Sequence, residues 1–283
     1  MKTKIGFAAA LAATTAFAVP AMAQETTPDD YFNGLYISGG VSLDQLESDP
    51  ADGIVFDTNG DGVFDDTVQT VTGADAFAPG FCNGNANSGL AADGCTDDDN
   101  DLGYFGRIGL DKRLGGGPIV VGALIEGAGS EARDFSTGFS GTPASYTISR
   151  KLDYSVAGRL RAGISPGDGR GLFYATGGVG YAKLDHGFAT TNGANDFTPV
   201  DDDDWEFGWQ AGGGAEFMLT RNISIGAEYL YNRYNDDDYS ILVTQGTAPD
   251  TNPFLLDGGQ TSIQPTEDKF GFHSFRATLG FHF

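Results

Sequence analysis

The chain ends in FGFHSFRATLGFHF, Phe270 to Phe283, and no other stretch limits the fold as much. Counting back in steps of two gives Phe283, Phe281, Leu279, Ala277, Phe275 and His273. The alternate positions are His282, Gly280, Thr278, Arg276, Ser274 and Phe272. One face is apolar and aromatic; the other carries Arg276, Thr278, Ser274 and His282. A period of two marks a β-strand, and this one is longer than an ordinary globular strand. A buried sandwich strand has no place for an arginine at its centre. A greasy face backed by a polar one suits a barrel wall between lipid and a polar lumen.

The same alternation recurs upstream. Tyr31–Leu43 sets Leu35, Ile37, Gly39 and Val41 against Tyr36, Ser38 and Ser42. Leu102–Leu114 directs Arg107 and Asp111 inward, and Ile119–Gly129 directs Glu126 inward. Leu152–Ile164 sets Leu152, Tyr154, Val156, Leu160 and Ile164 against Asp153, Arg159 and Arg161. Leu172–Leu184, Trp205–Met218 and Ile223–Tyr234 follow, the last two with Glu206, Gln210, Glu216 and Glu228 inward. With the closing segment the count is eight, and ten is the alternative. Each is long enough for a tilted membrane strand of about 10 residues. The connections 115–118, 165–171 and 220–222 are short and rich in Gly, Pro and Asn. Those at 44–101, 130–151, 185–204 and 235–269 are long. Short periplasmic turns and long external loops are the arrangement of outer-membrane barrels. The fold class is therefore all-β, a transmembrane up-and-down antiparallel barrel. Trp205, Trp209, Tyr104, Tyr154 and Tyr229 suit its interfacial girdles.

Residues 1–23 read as a secretory signal peptide, with Lys2 and Lys4 ahead of an apolar run and Ala21-Met22-Ala23 at the cleavage site. The mature chain is then one barrel domain, 24–283. The full chain's formal net charge of −23, which becomes −25 once Lys2 and Lys4 are removed with the leader, excludes nucleic acid as a partner, because phosphate binding needs Lys and Arg.

The eight segments and the terminal phenylalanine resemble small eight-stranded outer-membrane barrels related to the OmpA transmembrane domain and the Opa-like surface antigens. The resemblance implies the outer membrane of a Gram-negative bacterium, contact with its lipid and lipopolysaccharide, and an extracellular ligand for the loops. It also implies that the β-barrel assembly machinery reads the last strand, through Phe275, Phe281 and Phe283. With Phe283 as the last residue, a peptidoglycan-binding domain of the kind found in full-length OmpA proteins is not expected.

An eight-stranded barrel is just wide enough for its own side chains. Arg107, Arg159, Arg161 and Arg276 face Asp111, Glu126, Asp153, Glu206, Glu216 and Glu228, and an arginine–carboxylate network that plugs the lumen is expected. The alternative is a narrow channel, cation-preferring because acids outnumber bases. The first loop, 44–101, holds fourteen acidic residues and no Lys or Arg. Asp57, Asn59, Asp61, the Val63 carbonyl and Asp65 fit the opening of a calcium loop, but Val68 stands where its bidentate Glu belongs. A solvated acidic loop explains the same residues. Cys82 and Cys95 meet an oxidising compartment and are expected to form a disulfide. Residues 239–244 and 260–264 read as a hairpin extending the last two strands outward. The acidic runs 97–99, 201–204 and 236–238 border the loops, where divalent ions could bridge them to lipopolysaccharide phosphates. Only His186, His273 and His282 are available for acid–base chemistry: the same-face neighbour of His273 is Phe275 and not a hydroxyl, His282 faces inward at the periplasmic end, and His186 has no serine close in sequence. The chain is not read as an enzyme, although a lipid A-modifying barrel would need only a cross-strand cluster of His, Ser and acid near the outer leaflet.

Overall fold

The computed structural model describes residues 31–47, 52–200 and 205–283. The leader expected at 1–23 and the acidic run 201–204 lie outside these residues. The strands are β1 (Gly34–Leu46), β2 (Ile54–Asp57), β3 (Gly80–Asn83), β4 (Asn85–Ala86), β5 (Cys95–Thr96), β6 (Asp101–Arg113), β7 (Ile119–Ser130) and β8 (Arg133–Ser140). They continue with β9 (Ala144–Ile164), β10 (Gly171–Thr190), β11 (Asp196–Val200), β12 (Trp205–Met218), β13 (Ile223–Asn235), β14 (Ser240–Thr244), β15 (Thr261–Pro265) and β16 (Lys269–His282). Eight of them, β1, β6, β7, β9, β10, β12, β13 and β16, form a closed antiparallel barrel in chain order. β16 closes the ring on β1, with Ile37 opposite Phe281 and Leu43 opposite Phe275. The wall has eight strands, not ten.

The alternation in the sequence is the alternation of the wall. β6 runs buried, exposed, buried from Gly103 to Arg113, with Tyr104, Ile108 and Leu110 outward and Phe105, Arg107 and Asp111 inward. The tight turn Leu114–Pro118 uses Gly115 and Gly116 at positive φ, a conformation that costs glycine little. Two inward glycines make room for charge. A side chain at Gly122 would collide with the Asp111 carboxylate and Arg161, and one at Gly178 with Arg159.

β9 is longer than expected, and its ladder with β10 skips one residue. Tyr154 lies opposite Lys183 and Leu152 opposite Leu184, leaving Asp153 as the extra residue of a β-bulge. A slip of one residue inverts every side chain beyond it. Leu152 thus turns into the lumen and Asp153, expected inside, is exposed.

The long connections are also more ordered than a loop reading allows. Residues 133–151 form a hairpin of β8 and the outer half of β9, and β3 adds to its edge. The segments 239–244 and 260–264 do pair, as β14 and β15 with Ile241 opposite Ile263. They do not extend β13 and β16. They join β11 and β2 in a separate four-stranded sheet drawn from three connections. The reason is apolar burial. Ile241, Val243 and Ile263 pack with Ile54, Phe56, Phe77, Tyr146, Ile148 and Phe254 in a core outside the barrel. Cys82 and Cys95 form a disulfide between β3 and β5.

Candidate functional site

The lumen is filled in three layers. At the periplasmic end lie Phe32, Val120, Leu172, Tyr174 and Met218; toward the outside lie Leu152, Ala182, Leu184, Tyr234, Phe270 and Phe272. Between them sits the charged layer, and its side chains are at most 4% exposed. Arg107 donates to Glu228 at 2.8 Å and, through Nε, to the Ser38 hydroxyl at 2.8 Å. Arg159 donates to Glu228 at 3.2 Å and also bonds Glu126. Arg276 donates to Glu126 at 2.7 Å, and the Tyr174 hydroxyl donates to Glu228 at 2.8 Å. One turn of the wall lower, Arg161 holds Asp111 through two nitrogens and Glu216 at 3.0 Å. Arg161 also lies 4.3 Å from the Tyr36 ring and Arg276 4.7 Å from the Phe105 ring, both cation–π distances.

Eight of the ten residues expected in this network are therefore brought together. Asp153 is displaced by the bulge. Glu206 is half-buried at the outer end of β12, opposite Ala182, and makes no ion pair with the four arginines. The expected excess of six acids over four bases becomes four carboxylates on four arginines. Sequence reasoning placed Tyr36 on the inward face without a part in the network, and missed Tyr174 and Phe105, which fall on inward positions of the same alternation.

His282 Nε2 lies 2.9 Å from Glu216 and 3.0 Å from the Ser224 hydroxyl, which itself donates to Glu216 at 2.6 Å. Serine, histidine and acid do meet across strands. Nucleophilic catalysis needs the acid on one ring nitrogen and the serine on the other. Here both share Nε2, Glu216 is committed to Arg161, and the trio is at the periplasmic end. His273 faces outward and bonds the Tyr229 hydroxyl at 2.7 Å.

A second buried charge cluster joins the loops to the wall. Arg150 donates to Asp134 at 2.8 Å, Asp236 at 3.2 Å and the Glu267 carbonyl at 2.9 Å. His186 reaches Asp236 at 2.9 Å and stacks on Tyr239. Burial pushes Asp98 up to about 7, helped by the Asp134 charge, and Asp52 up to about 6. Asp236 is also buried, yet its bonds from His186 and Arg150 hold it below the usual carboxylate range. Reading 130–151 as loop had left Arg150 without a role.

In the first connection, Asp57 accepts the Gly60 and Gly62 amides at 2.7 and 3.0 Å, Asn59 accepts Asp61 N–H, and Asp61 accepts Val63 N–H. Asp65 is exposed, and Val68, at the place of the twelfth ligand, is buried in the loop core. Among the described residues no group of three or more His, Cys, Asp or Glu is arranged to hold a metal ion.

A closed eight-stranded wall with an apolar belt outside and paired charges inside defines an outer-membrane β-barrel protein. Residues 9–283 match the outer membrane protein beta-barrel domain family, and the chain belongs to that family. It is 27% identical over 184 residues to the 31 kDa outer-membrane immunogenic protein of Brucella melitensis, covering 64% of this chain and 67% of that protein. The protein of the same description in Brucella suis gives the same figures. Among solved structures, OprG from Pseudomonas aeruginosa aligns with a TM-score of 0.49 and 12% identity over 90% of this chain and 99% of its own. Ail of Yersinia pestis aligns at 0.34 and 11%, over 89% and 99%. The protein resides in the outer membrane of a Gram-negative bacterium.

Proposed function

We propose that this protein is a closed barrel with a structural role in the envelope, and that its folded loops interact with an extracellular ligand. The observation that carries the reading is the filled lumen. Charge-balanced ion pairs lie between two apolar layers, and an eight-stranded wall leaves no room around them. The outward Phe275, Phe281 and Phe283 serve as the signal for the β-barrel assembly machinery. The test is conductance of the refolded mature protein in a planar bilayer, with folding checked by slower gel migration when unboiled. A silent bilayer is expected. Steady cation-selective openings that vanish when Glu126, Glu216 or Glu228 is neutralised would replace this reading with a narrow channel.

A second element of the proposal is weak calcium binding in the first connection. The run of side-chain-to-amide bonds from Asp57, Asn59 and Asp61 favours it, since it aligns three oxygen-bearing side chains on one turn. The Val63 carbonyl and Asp65 complete the set, and Val68 supplies nothing, so affinity is of the weak extracellular kind. Calorimetry with calcium should give heat that Asp61→Ala removes. No heat from the unmutated protein ends the idea.

A further inference from the structure

The interlocked loops enclose a cavity of about 410 Å³ at their outer end. Four segments build it: 68–77 of the first connection, the β8–β9 turn at 140–146, 191–194 after β10, and 252–254. One side is aromatic. The rings of Phe77, Tyr146 and Phe254 lie with centroids 5.3, 5.5 and 5.9 Å apart. The other side offers the hydroxyls and amides of Thr70, Ser140, Thr142, Thr191, Asn192 and Asn252. None of the lining residues is charged, in a chain of net charge −23.

The walls are held in place by amides. Asn192 Nδ2 donates to the Tyr146 hydroxyl at 3.1 Å and to Asn195 Oδ1 at 3.0 Å, and Asn252 Nδ2 donates to the same Asn195 oxygen at 3.0 Å. Asn252 Oδ1 in turn accepts the Phe254 amide at 3.0 Å. Three connections far apart in sequence are thus cross-tied around one opening, so its shape is set before anything binds. Its volume lies within the range of small-molecule sites, about 300–1,000 Å³.

We infer that this cavity binds a neutral saccharide. An ion would find no counter-charge there. A wholly apolar molecule would cover the Thr142 hydroxyl, and the Thr191 O–H whose oxygen accepts only the Ser145 amide, without giving either proton an acceptor, which is costly. A sugar ring presents both kinds of surface: C–H groups for the aromatic side and hydroxyls for the polar side. The cavity is also on the outward face of the barrel, where water-soluble ligands arrive. The inference rests on the surface-interaction reading and names the chemistry of its ligand.

The test is saturation-transfer NMR on the refolded mature protein in detergent micelles. The probes are methyl glycosides of glucose, galactose, mannose and N-acetylglucosamine, with N-acetylneuraminic acid as anionic probe and indole as apolar probe. Gly193→Phe puts a ring on the exposed lining segment 191–194 to obstruct the cavity: a Cβ there meets nothing within 4 Å and φ is not left-handed. Ring C–H signals from at least one neutral glycoside, lost in a folded Gly193→Phe protein, are expected. If that variant does not fold, Thr142→Phe at the exposed rim serves the same purpose. Signals from no neutral glycoside, or signals that survive cavity filling, overturn the inference. Cavity-dependent binding of only the anionic or the apolar probe overturns the saccharide class while leaving the surface-interaction reading intact. Steady bilayer openings together with silence from every probe remove both.

Discussion

At the residue scale the buried ion pairs are the most exposed to test. Glu228 takes bonds from Arg107, Arg159 and Tyr174, so removing it leaves uncompensated guanidinium charge in a dry layer. Glu228→Ala should destabilise the barrel by about 3–5 kcal/mol, the usual cost of breaking a buried pair from one side. Denaturant unfolding in micelles measures it. Asp153→Ala is the control. Expected inside but exposed at the bulge, it should change stability by no more than about 0.5 kcal/mol. A large effect at Asp153 would show that the bulge, and with it the balance of four acids on four bases, has been misassigned.

At the element scale the outer halves of β9 and β10 hold the loop sheet to the wall through Arg150. The acids around it titrate in opposite directions. Asp98, raised to about 7 by burial and the Asp134 charge, and Asp52, raised to about 6 by burial, hold protons in the folded crown that open loops release. Unfolded carboxylates titrate near about 4, so the favourable contribution of these two groups is complete below that and is lost as pH rises through 6 to 7. Asp236, lowered despite its burial by His186 and Arg150, works in the opposite sense: its contribution is present above about 4 and is lost only as the pH falls into the acid range. Amide exchange in β8 and the outer half of β9, corrected for intrinsic rates, should be slower at pH 5 than at pH 8. Asp98→Asn should flatten the difference. Equal protection at both pH values would mean that the cluster does not steer the crown. The Cys82–Cys95 bond belongs to the same element. On the loop-entropy model its closure contributes about 3 kcal/mol to ordering the first connection. Reduction should open residues 80–96 to protease while unboiled migration stays unchanged.

At the scale of the whole molecule the described residues form one core inside the wall and another among the loops. They should respond separately, with the crown opening before the barrel in denaturant. Two non-coincident transitions, by near-UV signal and by gel migration, are the expected result.

The wall was legible in the sequence because lipid outside and packed side chains inside impose a period of two, which survives in Arg107, Arg159, Arg161 and Arg276 without knowledge of any partner. Strand number, the direction of the closing strand and the sidedness of the turns follow from that period and from connection length. The Asp153 bulge was not legible, since a single inserted residue leaves both parities plausible on paper. Only the ladder with β10 decides which one holds. Nor were the crown, the Arg150 cluster and the cavity between Phe77, Tyr146 and Phe254. Their contacts join residues tens to hundreds of positions apart, within segments of which only 239–244 and 260–264 read as strand. Local alternation encodes which face a residue takes, so the chain alone determined the barrel. Burial between distant connections has no period, so only the tertiary structure decided what those loops become.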